Sequence, residues 1–271
     1  MQPPFPRTRA LPHRRRLRLP RGRRDLLVQL AVWLGFVAAY ELVRGIADRG
    51  PDVALENARR VLGLQSALGA VVEPDVQDAV LGVGDVLVRP LNWTYWLSQF
   101  AVLSVALVVL YVRYRSVYGR VRDALIATNT IALIVYLAMP TAPPRLVPEL
   151  GLVDTLAASE VLNHGSGLVE FLANPYAAMP SVHAADALIL GIGLARVARS
   201  ALVRAAILLW PVWVAFALLA TGNHFWLDVA AGAVTAGLGL GVVYGLRRAA
   251  AARAVPRVRP GRLEPGRPRE G

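Results

Sequence analysis

The run Thr221-Gly222-Asn223-His224-Phe225-Trp226-Leu227-Asp228, which continues without a further charge through alanine, glycine, leucine and valine to Leu246, decides how the chain is read. From Phe225 onward it is long enough to cross a bilayer, which takes about 20 apolar residues. A polar loop therefore delivers a histidine to the mouth of a membrane helix, where it meets water and headgroups while a rigid scaffold holds it. Asp228 follows His224 by four residues. If the helix has begun by Asn223, the carboxylate sits one turn along on the same face. There it can accept a ring N–H, fix the tautomer and leave the other nitrogen free to attack. A second segment, Ala178-Met179-Pro180-Ser181-Val182-His183, places another histidine at the entrance of another apolar run, where it can protonate a leaving oxygen.

Composition agrees with a membrane reading. The 271 residues are 55 % hydrophobic, and the mean hydropathy is +0.46, too apolar for a soluble domain of this size. No cysteine is present, which excludes disulfides, thiolate nucleophiles and cysteine-zinc sites. All 30 basic residues are arginine, against 18 acidic ones. The net charge of +12 could suggest nucleic acid, but the arginines gather in both tails and in two short loops between apolar runs. Contact with anionic membrane lipids and topology signalling explain that distribution, and no specific nucleic-acid partner is expected.

The fold class expected is all-α: a polytopic bundle of six transmembrane helices with short interfacial helices. The spans are Leu26 to Val43, Leu91 to Val112, Asp123 to Met139, Ser181 to Val197, Ala201 to Leu219 and Phe225 to Leu246. Residues 26–246 form the membrane domain, with disordered basic segments at 1–25 and 247–271. Between Arg44 and Arg89, mixed charge at helical spacing predicts two short amphipathic helices at the interface that cover the entrance to a site; a folded loop with no functional role fits equally. Pro211 should kink the fifth span, and Gly232, Gly237, Gly239 and Gly241 suggest close helix packing in the sixth.

Arginine placement sets an orientation. The two tails, the stretch from Arg113 to Arg122 and the loop with Arg196, Arg199 and Arg204 are basic with almost no acid, so they face the cytoplasm by the positive-inside rule. The loop 140–178 holds one arginine, Arg145, against four acids. Both termini then lie inside a plasma membrane, and Arg145, His183 and His224 lie together on the outer face. Arg145 ends a stiff turn, Pro140-Thr141-Ala142-Pro143-Pro144-Arg145, and a guanidinium matches two phosphate oxygens as a fork.

These three segments, in this order and between these spans, resemble the type 2 phosphatidic acid phosphatase superfamily of integral membrane lipid phosphatases and phosphotransferases. The closest likeness is to its inositol phosphorylceramide synthase-like branch, whose motifs read Pro-Thr-x-Pro-Pro-Arg, Met-Pro-Ser-x-His and Gly-Asn-His-x-x-x-Asp. The resemblance implies that His224 is a nucleophile forming a phosphohistidine, that Asp228 orients it and that His183 is the acid and base. It implies that Arg145 and Ser181 hold the phosphate; Thr221 and Asn223 are candidates to donate to the phosphate or to shape the turn. Asn174 and Tyr176, with Asn163 and His164, are candidates to contact a sugar or polyol headgroup, and Asp186 to support His183. The expected partners are a lipid phosphate substrate, a polyol acceptor and membrane lipids; no cofactor or metal is implied. The lipid, the acceptor and the oligomeric state stay open.

The chain also departs from the broader superfamily. It has no lysine for the first motif, Val182 stands where a glycine precedes the second histidine, and Leu218 stands where an arginine would lie six residues before the nucleophile. Fewer cations favour a singly charged phosphodiester, hence headgroup transfer over simple dephosphorylation. A non-catalytic transporter or scaffold is the alternative; it predicts inverted repeats and charges near mid-membrane.

Overall fold

The computed structural model describes residues 21–46, 50–158 and 176–254, and among them every regular element is helical. The α-helices are α1 Gly22–Ile46, α2 Pro51–Ala67, α3 Glu73–Val83, α4 Asp85–Leu97, α5 Leu103–Arg113, α6 Arg115–Ala138, α7 Val182–Ala195, α8 Ala201–Ala220 and α9 Trp226–Ala254. Most of the arms expected at 1–25 and 247–271, together with Asn163, His164 and Asn174, lie outside the described residues.

A helix occupies each of the six stretches expected to span. Four segments are long and apolar enough to cross a membrane: Asp85–Arg113, Arg115–Ala138, Ala201–Ala220 and Trp226–Arg253. The fourth expected span, Ser181 to Val197, is shorter than read. Its helix α7 is apolar but has 14 residues, because Ser181 is used as the N-cap and the Leu194 carbonyl closes the far end on the N–H groups of Val197 and Ala198. The second span begins at Asp85, not Leu91. Gly84, with φ 85°, breaks the chain after α3, and Arg89 pairs with Asp85 at 2.7 Å one turn away, so both charges lie on the helix that becomes the span. The last helix runs past Leu246 to Ala254, since Arg247-Arg248-Ala249-Ala250 are strong helix formers with no breaker among them.

The core sits between α5, α6, α7 and α9, with Leu110, Leu125, Ile189, Leu190 and Ala236 at its centre. Small residues let the helices touch. A Cβ on Gly239 would strike Thr128 of α6, one on Gly232 would strike the Ser181 carbonyl, and one on Gly191 would meet Pro211 of α8 at 3.0 Å. Gly237 and Gly241 face open space, so two of the four expected glycines pack closely. Helix α8 continues through Pro211. Outward, Ile134, Leu202, Leu209, Val212 and Val234 are well exposed, an apolar skin that suits lipid and not water.

One comparison isolates the close contact. Gly232→Val should destabilise the fold by about 1–3 kcal/mol through overpacking and lower activity by displacing Ser181. Gly241→Val, with nothing near it, should leave both within error. Thermal unfolding in detergent beside an activity assay reads the difference.

The segment before the second span folds against the site. Helix α2 buries Ala54, Asn57, Ala58, Val61 and Gln65, one face at helical spacing, against Ala142, Val147 and Phe225. Helix α3 packs on α4 and α8.

Candidate active site

Main-chain hydrogen bonds lace the three segments together at one end of the bundle. Thr141 N–H donates to the Tyr176 carbonyl at 2.8 Å, and Ala178 N–H donates to the Thr141 carbonyl at 3.0 Å. Arg145 N–H donates to the Gly222 carbonyl and Ser181 N–H to the Asp228 carbonyl, each at 3.0 Å. From outside, Asn57 Nδ2 donates to the Pro140 carbonyl at 2.7 Å, and Ala142 N–H donates to the Ala54 carbonyl at 3.0 Å. Gly222 is required where it stands, with φ 67° and no room for a Cβ beside Arg145.

Within that frame the imidazoles of His183 and His224 lie 5.9 Å apart between ring centroids, tilted by 58°. His224 is buried, while His183 is partly exposed. His224 Nδ1 lies 3.4 Å from Asp228 Oδ2, a looser contact than an aligned hydrogen bond. The pairing forms although α9 begins at Trp226 and not by Asn223. What holds it is one arm of a capping box: Asp228 Oδ2 accepts the Phe225 N–H at 2.9 Å, reaching back over the first turn. Burial lowers the pKa of His224 to about 3, with the Ala178 carbonyl acting against and the Arg145 guanidinium acting with it, so the ring is neutral at physiological pH.

Arg145 is clamped by Asp154, whose Oδ2 accepts its Nε at 3.0 Å, and by the Asn223 amide oxygen. Asn223 is itself set by Thr221, whose hydroxyl accepts Asn223 Nδ2 at 2.7 Å. Ser181 caps α7 through its hydroxyl oxygen, which accepts from Ala184 N–H at 3.4 Å and leaves the hydroxyl proton free to donate. Helices α7 and α9 both begin here, so two positive helix ends face the same place as the guanidinium. The arrangement suits an anion held between the neutral His224 ring and a second imidazole.

Arg145, Ser181, His183, Asn223, His224 and Asp228 are thus brought together. The Tyr176 side chain packs with Ala54 and Phe225 while its carbonyl takes part in the lacing. Asp186 turns away from His183 and accepts from Asn129 at 2.8 Å and Gln99 at 3.1 Å, the latter carried on a π-helical turn, Ser98–Val102. Leu218 joins an apolar cluster with Ala184 and Val214, and its carbonyl accepts the N–H groups of Asn223 and His224. Four neighbours went unread in the sequence. Tyr95 stacks on His183, centroids 4.6 Å apart and planes 19° apart. Asp154 holds Arg145. Gln77 bonds the Ala220 and Val153 carbonyls at 3.2 and 3.0 Å, and buried Glu73 accepts the Trp226 N–H at 2.8 Å. Among the described residues, no group of three or more histidines and acids is placed to hold a metal ion.

Comparison with curated proteins and with solved structures returns no match. A family model for the PAP2 superfamily matches residues 59–242, a stretch that includes all three laced segments and most of the helical bundle. The chain belongs to the PAP2 superfamily, the type 2 phosphatidic acid phosphatases that its motifs resemble.

Proposed function

We propose that the protein is a membrane enzyme that cleaves a lipid phosphate ester through a phosphohistidine at His224. The observation that carries this reading is the lacing of the three segments, which sets the two imidazoles 5.9 Å apart beside a clamped guanidinium. A His224 nitrogen attacks phosphorus and the P–O bond to the leaving alcohol breaks, while His183 gives that oxygen its proton. In the second half, water or an acceptor hydroxyl surrenders its proton to His183 and its oxygen attacks phosphorus. The P–N bond then breaks and His224 is restored. Asp228 orients the nucleophile, and Arg145, Ser181, Asn223 and the two helix N-termini hold the phosphate oxygens.

A single guanidinium supported by helix ends suits an anion with one negative charge better than a dianion. Transfer of a phosphorylated headgroup, such as inositol phosphate, to or from a polyol is therefore the favoured reaction. The arginines at the opposite end of the bundle favour a site on the outer leaflet of the cell membrane, with both termini cytoplasmic.

Purified protein in detergent, given phosphatidic acid, polyprenyl diphosphate and inositol-bearing phosphodiester lipids with and without added inositol, tests the reading. Release of the lipid alcohol with transfer of inositol phosphate to the added inositol, at a rate that depends on that polyol, is the expected result. Efficient hydrolysis of the monoester and diphosphate substrates with no transfer would overturn the phosphotransferase assignment. Inertness toward every phosphate ester would overturn the enzyme.

A further inference from the structure

The end of the bundle away from the histidines carries a polar assembly that this chemistry does not use. Asp25 of α1 accepts from the Tyr111 hydroxyl at 2.8 Å and from Arg115 at 2.7 Å. The Arg115 guanidinium lies over the rings of Tyr111 and Tyr118, 5.0 and 4.9 Å from their centroids. Gln29, buried on α1, accepts from the Tyr118 hydroxyl at 3.2 Å and from Arg122 at 2.6 Å. Arg122 and Arg247 converge on Asp123, each at 2.6 Å, and Arg247 also donates to the Gly119 carbonyl at 3.0 Å. An open cleft lies among these groups, lined by Arg21, Asp25, Gln29, Arg115, Arg122 and Arg247.

Charge and position both point to a ligand. Four guanidinium groups line the cleft, and the carboxylates that pair with them are those of Asp25 and Asp123, so two positive charges are left over. The side chains are already held by rings, a buried amide and each other, so little ordering is needed when an anion arrives. Arg115 opens α6 and Ala138 ends it beside Pro140, which puts the cleft about 35 Å from the histidines, one membrane thickness away. At that depth the abundant anions are the phosphates of the other leaflet.

We propose that this cleft binds the phosphate of an anionic lipid headgroup in the leaflet opposite the histidines, and that the lipid clamps α1 onto α6 and α9. The clamp has a purpose in the fold, because α1 packs chiefly on α6 and its polar ties are concentrated around the cleft. Basic hollows between membrane helices recognise headgroups in this way, each arginine adding to the attraction.

The test measures thermal unfolding of the full chain in uncharged detergent, alone and with phosphatidylglycerol, phosphatidylcholine or inorganic phosphate. Each increment is taken from that protein's own baseline. Saturating phosphatidylglycerol should raise Tm by about 5 °C. Phosphatidylcholine should do little. Arg122→Gln with Arg247→Gln should lose most of the increment, each change weakening the lipid roughly fivefold. Arg247→Gln alone, at a half-exposed side chain, should lose a smaller share, which covers the case of a double variant that fails to fold. Arg59→Gln with Arg60→Gln removes the same charge at the other end and should keep the full increment. An equal increment with inorganic phosphate, sensitive to the same substitutions, supports the phosphate site and assigns it to a free anion. A wild-type increment in the cleft variants, an equal loss in the α2 control, or equal protection by phosphatidylcholine overturns the proposal.

Discussion

His224→Ala should reduce turnover by at least about ten-thousand-fold and remove any acid-labile phosphoprotein formed with labelled substrate. The size follows from the position of the ring: it is buried, neutral at working pH, and one nitrogen is already turned toward Asp228 at 3.4 Å. Among the described residues no other imidazole is placed to substitute, because the His183 ring lies 5.9 Å away and stacks on Tyr95. The loop itself should survive the change, since the His224 N–H bonds the Leu218 carbonyl at 3.2 Å and Asp228 still caps Phe225. Near-normal melting with lost chemistry is thus expected. An active His224→Ala protein, or a phosphoprotein signal that persists in it, would remove the nucleophile assignment.

His183→Ala should cut turnover of lipid esters by about a hundred- to ten-thousand-fold, the range for a general acid and base. The two halves of the reaction respond differently. An aryl phosphodiester with an acidic phenol as leaving group needs no proton, so it should still phosphorylate His224. The second half still needs a base to activate the incoming hydroxyl. The variant should therefore accumulate phosphohistidine as a stoichiometric burst, followed by slow release. Equal slowing of aryl and alkyl esters in His183→Ala, with no burst, would mean that residue 183 positions substrate and does not move protons.

Apolar runs made the bundle legible, because a membrane helix needs nothing more than length and composition to announce itself. The errors fell where a local signal had two meanings. The second span was read as starting at Leu91, after a mixed-charge segment ending at Arg89, yet Pro90 lies inside α4, where the helix forgoes one backbone hydrogen bond and carries on. Arg247 and Arg248 read as the start of a tail but belong to the last turns of α9. The side chains of the candidate site were visible because histidine, arginine and aspartate are rare beside long apolar runs. Their supports were not. Tyr95 was one aromatic among Trp93 and Trp96, all of which suit a headgroup belt, and only the tertiary fold selects it to stack on His183. Glu73 sat in a mixed-charge stretch with nothing to mark it as the residue that reaches the first turn of α9, 153 positions later.

The lacing of the three loops bears on how such a protein can change. Because peptide groups make most of these joins, the meeting of the three segments depends more on the course of the backbone than on the side chains of Thr141 and Ala178. Asp154, gripping Arg145, and Tyr176, bound to Thr141, are both tied to the first of the three segments. A substitution at Thr141 or Ala178 that keeps the course of the backbone then leaves the join intact, much as one changes a tool bit without rebuilding the chuck.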